Sequence, residues 1–527
     1  MTPADDSGLP ARAPQDGTAV VARNLSTRYL AIVTDAALGV LILPFNVAHL
    51  GTSAYGLWVL AASITAYFSL LDLGYGGAIV KFVAQYRARR DGRALNEVVS
   101  TLFFVFLGVA SVMYIAAVII SAVIDDVFRL APDQVGTARL VLLIVSINVA
   151  ASTAFSVFGG VINGFQRYDL NNIVGTVSSV ATAAVNVAVL LLGYGLVELV
   201  AAMTAVRVLT LWVYRANAYR VFPGLRIRPS LFRRARLREV TGFSVHIAVI
   251  DWANKLNYSI DALVVGAFLG TTAVAIWAIA QRLAEVAQRL ANQLNEILFP
   301  AVVENDATAQ IERLRRIYLE GTKLSLATVV PLAGTMGLMA GPLVLAWVGP
   351  EFSDSIPVLQ LLSLVVLVRV GNATGTTLLK GAGSHRTVAA ASFATALCNV
   401  ALSVALVRPV GLKGVAIGTL APVAVTSAAV IFPLACRRVG LPLTRAAAHA
   451  LWPSVWPALI MSGFLLATRD LVPPSLPAVA AECIASGAVY ASTFVLFSLS
   501  RTERRFYLAK LAQLLRVARP MPAGGSL

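Results

Sequence analysis

Apolar residues fall in runs of roughly 20 along most of the chain, separated by short polar breaks. That is the length an α-helix needs to cross the hydrocarbon core of a bilayer, about 30 Å thick at a rise of about 1.5 Å per residue. The runs and their breaks predict 14 spans, near 29–49, 54–79, 98–124, 137–163, 172–193, 196–219, 242–269, 272–299, 318–346, 357–380, 387–407, 413–435, 450–468 and 477–499. The alternating ten-residue segments of a membrane β-barrel are absent. The pattern therefore predicts an all-α polytopic membrane protein. Pro44, Pro331 and Pro422 fall inside predicted spans and are expected to kink them.

One motif occurs twice. Leu50-Gly51-Thr52, followed by Trp58, returns as Leu269-Gly270-Thr271, followed by Trp277, at an offset of 219. The same register carries Gly164 onto Gly383, Arg167 onto Arg386 and Gly195 onto Gly414. A common register at several landmarks predicts two copies of one six-span unit. An even number of spans starts both copies on the same side, so the repeats are parallel, related by an axis along the membrane normal. The predicted division is an N-terminal tail over 1–27, a first lobe over 28–220, a basic linker over 221–240 and a second lobe over 241–438. Two further spans over 439–500 and a basic tail over 501–527 follow.

Charge gives these spans a direction. Only 13% of the 527 residues are charged, against about 25% in soluble domains. The net charge of +16 suggests nucleic acid, but the cations alternate from one connection to the next, as the positive-inside rule requires. Arg87, Arg89, Arg90 and Arg93 follow the second span; Arg226, Arg228, Arg233, Arg234, Arg236 and Arg238 follow the sixth. This places both termini in the cytoplasm. Asp5, Asp6 and Asp16 speak against a signal peptide. The outer connections are too short for a catalytic domain, and the four histidines are scattered, so no enzyme is expected. Cys398, Cys436 and Cys483 have no metal-ligand spacing, and no cofactor is implied.

Some charges lie where hydrocarbon should be. An ionisable side chain at bilayer depth costs about 2.5–3.5 kcal/mol on insertion scales, so it faces a cavity or a partner. Arg207, Lys255, Arg282 and Arg369 reach the middle third of the bilayer. Span eight carries Arg282, Glu285, Arg289 and Glu296 on one face; span seven carries Asp251 and Lys255 at i,i+4; span one carries Arg28 and Asp35, seven apart. Two readings remain open. In one, the charges pair among themselves, Asp251 with Lys255 and Glu285 with Arg282 or Arg289, and lock the helices. In the other, the surplus cations form a cavity suited to a phosphate-bearing headgroup. The repeat register sets Lys255 and Arg282 against Ala36 and Ser63, so the cations are not duplicated with the scaffold.

The Leu-Gly-Thr…Trp turn, the run Leu71-Asp72-Leu73-Gly74…Lys81, the segment Leu298-Phe299-Pro300-Ala301 and the Gly164…Arg167 turn, set in six plus six plus two spans, resemble a known family. It is the polysaccharide transporter family of O-antigen and exopolysaccharide flippases, within the multidrug/oligosaccharidyl-lipid/polysaccharide exporter superfamily. The resemblance covers roughly residues 23–500. It implies a V-shaped pair of six-helix lobes around a cationic cavity, in the bacterial cytoplasmic membrane. The implied cargo is an undecaprenyl-diphosphate-linked oligosaccharide moved to the outer leaflet by alternating access, coupled to a proton or sodium gradient or to membrane potential. Membrane lipids, and glycosyltransferases and a polymerase of the same pathway, are the implied partners. By analogy Arg28, Asp35, Asp251, Lys255, Arg282 and Arg289 line the cavity; Arg207, Glu285 and Arg369 complete the candidate set. A peptidoglycan-precursor flippase and a multidrug exporter of the same superfamily are the alternatives, the latter disfavoured by the excess of Arg and Lys.

Overall fold

The computed structural model describes residues 17–505 apart from 73, 74, 472 and 474. The side chains at 17–22, 25, 69, 70, 72, 243–259, 293, 294, 296, 297, 300, 307 and 385 also lie outside what it describes. Among the described residues there is no β-strand. A helix satisfies its own backbone hydrogen bonds where no water can.

The first helices are α1 (Gly17–Leu50), α2 (Thr52–Ala66), α3 (Tyr75–Ala88), α4 (Gly92–Ala122), α5 (Val135–Gly164), α6 (Tyr168–Leu191) and α7 (Leu196–Val221). They are followed by α8 (Arg234–Leu269), α9 (Thr271–Ala307), α10 (Ile311–Leu338) and α11 (Ala340–Trp347). The remaining segments are α12 (Ser355–Gly381), α13 (Arg386–Val410), α14 (Leu412–Arg438), α15 (Leu443–Leu471) and α16 (Leu476–Ser498). By length and composition, ten helices of the described residues can cross a membrane, or eleven if α10 and α11 are one span. The predicted span 54–79 is not a single helix: α2 passes through a 3₁₀ turn, Tyr67–Asp72, before α3. The chain bends by 72° between α10 and α11, at Met339 and eight residues beyond Pro331. Wide π-helical turns over Ser427–Ile431 and Ala447–Leu451 each lie just before a proline, Pro433 and Pro453, whose ring crowds the preceding turn.

Both copies of the Leu-Gly-Thr motif fold into the same one-residue turn. Gly51 and Gly270 have φ of 77° and 88°, where a side chain is strained. The two turns also meet, with Ser53 Oγ and Thr271 Oγ1 3.0 Å apart. Gly56 backs so closely onto the Thr271 carbonyl that a Cβ would collide with it.

The helices pack into two compact units, Met1–Arg282 with Ser392–Thr419, and Leu283–Ala391 with Leu420–Leu527. In the first, Ile79, Val83, Leu102, Val157 and Phe222 are fully or nearly fully buried. Gly160 and Gly164 leave room for Ile79 and Val83, the small-residue packing that membrane helices use. In the second, Val302, Leu314, Tyr318, Leu378 and Cys436 form a core. There α15 and α16 join α10 through buried hydrogen bonds: Ser454 Oγ donates to the Lys323 carbonyl at 2.8 Å, and Tyr490 donates to the Ser454 carbonyl at 2.6 Å.

The arginine-rich linker is not a loose tether. Asn96 Nδ2 donates to the Gly224 carbonyl at 2.9 Å, and the Arg226 and Arg233 amides donate to Asn96 and Thr101 at 2.8 and 3.0 Å. Arg93, Arg233 and Arg236 converge on Glu97 at 3.5, 3.8 and 3.3 Å, and the Glu97 side chain is only 12% exposed. Arg236 also donates to the Tyr86 hydroxyl at 2.7 Å, and that hydroxyl donates to Glu239. Glu97 is thus the electrostatic anchor of the linker. Replacing it, as Glu97→Gln, takes the carboxylate from Arg93 and Arg233, leaves Arg236 with Glu239 alone, and is expected to destabilise the protein by about 1–3 kcal/mol. Tryptic cleavage at Arg233–Arg236 should accelerate; an unchanged cleavage rate and melting temperature would refute the anchor.

Candidate functional site

A cavity of about 290 Å³ lies within the first unit, between α1, α5, α6 and α7. Two of its lining residues carry an acidic or basic side chain: Asp35 on α1 and Arg207 on α7, both at mid-helix. Arg207 is 11 residues into α7, about 16 Å from its start. Neither side chain makes an ion pair or hydrogen bond with another described residue, and both residues are exposed. The cavity is therefore open, and it presents one acid and one cation at depth with their bonding capacity unused.

Neutral polar groups supply the rest of the wall. Helix α6 contributes Asn171, Asn172, Thr176 and Ser179, spaced so that they share one face. Asn172 Nδ2 donates to Thr27 Oγ1 at 3.0 Å, which ties α6 to α1. Asn171 donates to Asn163 Oδ1 at 2.7 Å, while its own Oδ1 is buried without a partner. From α7, Thr210 pairs with Ser178 at 2.9 Å, and Tyr214 donates to the Asn171 carbonyl at 3.3 Å. Amides, hydroxyls and one balanced pair of charges suit a ligand rich in hydroxyl groups.

The other charges expected from sequence are scattered. Arg28 is exposed on α1, two turns before Asp35, and does not line the cavity. Arg282 extends over Gly39, where a Cβ would overlap its guanidinium group. Gly39 is one turn beyond Asp35, so Arg282 is seated on the same face of α1. The side chains of Asp251 and Lys255 lie outside the described residues, as does that of Glu296. In the second unit, Glu285 and Arg289 form a loose pair at 3.8 Å, with side chains 40% and 66% exposed, and Arg369 is half-buried on α12.

A second polar cluster, also in the first unit, was not among the expected sites. The Thr419 hydroxyl lies 3.0 Å from Asp261 Oδ1, 3.4 Å from Asn399 Oδ1 and 3.2 Å from the Val415 carbonyl. Ser403 Oγ donates to Asn399 Oδ1 at 2.9 Å. Asp261, Asn399, Ser403 and Thr419 are all buried, and Asn399 Nδ2 has no hydrogen-bond partner. A carboxylate, two hydroxyls, an amide oxygen and a carbonyl form the oxygen set that a proton or a hard cation takes. Among the described residues no three His, Cys, Asp or Glu side chains converge.

The chain matches the family described as polysaccharide biosynthesis protein over residues 21–305. It is 24% identical over 413 residues to the probable flippase AglR of Haloferax volcanii, covering 76% of this chain and 81% of that one. It is 22% identical over 400 residues to the uncharacterized membrane protein EpsK of Bacillus subtilis, covering 74% and 78%. In fold it is similar to the lipid II flippase MurJ in an inward closed conformation, with a TM-score of 0.70, 13% identity and coverage of 89% and 98%. It is also similar to an inward-facing multidrug resistance MATE family transporter of the MOP superfamily, with a TM-score of 0.65, 16% identity and coverage of 80% and 98%. At these identities the two structures speak to architecture alone.

The cavity makes a prediction independent of cargo. In a variant whose three cysteines are replaced by serine, Ser179→Cys on the cavity wall should react with a water-soluble maleimide. Thr182→Cys, at a position only 4% exposed one turn further along α6, should not. Equal labelling of the two would mean that water does not enter the cavity.

Proposed function

This chain belongs to the polysaccharide biosynthesis protein family, and we propose that it moves a polyprenyl-diphosphate-linked oligosaccharide from the inner to the outer leaflet of the bacterial cytoplasmic membrane. The delivered unit would build O-antigen, capsule or exopolysaccharide. The observation that supports this reading most is the open cavity in which Asp35 and Arg207 stand without protein partners amid amides and hydroxyls.

Sugar hydroxyls both donate and accept. Asp35 accepts from them, Arg207 donates to them, and Asn148, Ser152 and Thr176 do either. The diphosphate falls to cations outside the cavity: Arg282, seated over Gly39, and Lys255, which the sequence places at similar depth. The polyprenyl chain stays in hydrocarbon, since each CH₂ it withdrew from lipid would cost about 0.8 kcal/mol. The protein thus shelters only the hydrophilic head, and alternate exposure of the cavity to the two faces carries it across. Placing the arginine-rich helix ends inside follows the positive-inside rule.

Coupling falls to the buried oxygen cluster. A proton on Asp261 would turn its carboxyl into a donor toward its neighbours. A Na⁺ ion would instead take lone pairs from Asp261, Asn399 and Thr419, the Thr419 hydroxyl rotating its proton away. Either event changes the charge of a site with almost no solvent contact, so its state is linked to whichever conformation gives the ion access.

Two experiments test these assignments. In a strain lacking the gene, Asp35→Ala and Arg207→Ala should each restore surface polysaccharide about tenfold or more less well than the parent chain, at equal amounts of membrane-inserted protein. Parental export by both would take the cavity off the cargo path, and loss of cell-wall synthesis in the deletion strain would point to a peptidoglycan precursor instead. In proteoliposomes, an imposed Na⁺ or proton gradient should accelerate flipping by the parent but not by Asp261→Asn. Stimulation that survives this substitution would remove the cluster from the coupling path.

A further inference from the structure

The second unit holds a larger cavity, about 670 Å³, that the transport proposal does not use. It lies where α10 and α15 begin and α16 ends, at helix ends rather than helix centres. That is the depth of lipid headgroups.

Its acids are already engaged. Glu312 holds Arg315 at 2.8 Å, and Glu320 is met by Arg316 at 3.9 Å. Glu503 holds Lys323 at 2.9 Å, and the Lys323 side chain is only 10% exposed. Glu503 also accepts from the Ser500 amide, while Ser500 Oγ accepts from the Glu503 amide, a reciprocal cap. Partial burial pushes the Glu503 carboxyl up, but Lys323 and Ser500 together hold it below the ordinary carboxylate range. It is therefore ionised and committed to its lysine.

The cations are not fully engaged. Arg313 lines the cavity and its side chain has no hydrogen-bond or ion-pair partner among the described residues, and the long contact of Arg316 joins two exposed side chains. Ser498 Oγ is buried and unbonded in the same wall. A buried hydroxyl without a partner marks a place for a polar ligand atom. Phe497 and Trp452, the neighbours of Ser498 and Pro453, are 71% and 62% exposed. Exposed apolar rings one residue along the chain from the cavity wall, with an unneutralised cation and an unmet hydroxyl in that wall, match an amphiphile with an anionic head.

We propose that this cavity binds the phosphate of an anionic bilayer phospholipid, with Arg313, Arg316 and Ser498 on the phosphate and the acyl chains along Phe497 and Trp452. The lipid then bridges α10 to α15 and α16, and it is distinct from the transported cargo. The assignment holds whichever glycan is carried.

The test uses the whole protein in nanodiscs, with spin-labelled phosphatidylglycerol compared against spin-labelled phosphatidylcholine. The parent should select phosphatidylglycerol about fivefold. Arg313→Ala with Arg316→Ala should abolish the selection, and Ser498→Leu, which fills the wall without changing charge, should weaken it. Arg234→Ala with Arg238→Ala, which removes two exposed arginines from the first unit, should leave it intact. Equal retention of the two lipids by the parent, or loss of selection only in the Arg234/Arg238 variant, would overturn the site. Displacement of phosphatidylglycerol by millimolar glycerol phosphate would reassign it to a soluble phosphate, and displacement by polyprenyl diphosphate would reassign it to cargo entry; either overturns the phospholipid.

Discussion

Hydrocarbon offers nothing to hydrogen-bond with, and most of this structure follows from that. It requires helices, and it requires every hydroxyl and amide on a helix to find an answer close at hand. Many do so within their own helix: Thr65 donates to the Ala61 carbonyl, Ser146 to Leu142, Thr153 to Val149 and Thr493 to Val489. Such residues are polar in sequence yet apolar in effect. The groups that matter are those their helices do not satisfy. Asp35, Arg207, Asn171 and Asn399 belong to this small remainder, and each lines a cavity or lies in the buried oxygen cluster.

The same constraint explains what could be read from sequence. The apolar runs fall on helices because hydropathy is local, and the Leu-Gly-Thr turns were legible because only glycine adopts their backbone easily. Asp35 and Arg207 stood out as charges in apolar surroundings. The wall opposite them did not: Asn171, Asn172, Thr176 and Ser179 carry no charge, although their helical spacing was a usable signal. Asp261 and Thr419 are 158 residues apart, and Glu97 and Arg236 are 139 apart. No local pattern joins such pairs. Helix α9 carries Gln281, Arg282, Glu285, Gln288 and Arg289 within nine residues, too polar a stretch for hydropathy alone to mark as a span.

Two readings of the mid-membrane charges, mutual pairing and a cavity of surplus cations, were both open from sequence. Glu285 and Arg289 pair along one helix, loosely and in the open, a contact worth little in stability. Asp35 and Arg207 share a cavity without pairing. Two of the linker arginines, Arg233 and Arg236, form a third group, which composition presented as a topology signal and which packing shows to be bound to Glu97, Arg236 holding Glu239 as well. Net charge alone therefore says little about the role of any one cation in this protein.

Arg282 is placed by an absence. Its guanidinium lies where any side chain at position 39 would have to be, so the missing Cβ of Gly39 is as much a determinant of where that charge rests as the arginine itself. A relative that kept the arginine but carried alanine or leucine at the facing position would look equivalent in a count of charged residues, yet hold its cation elsewhere. The electrostatics here is set in pairs, a charge and the vacancy that receives it, and only one member of the pair is charged.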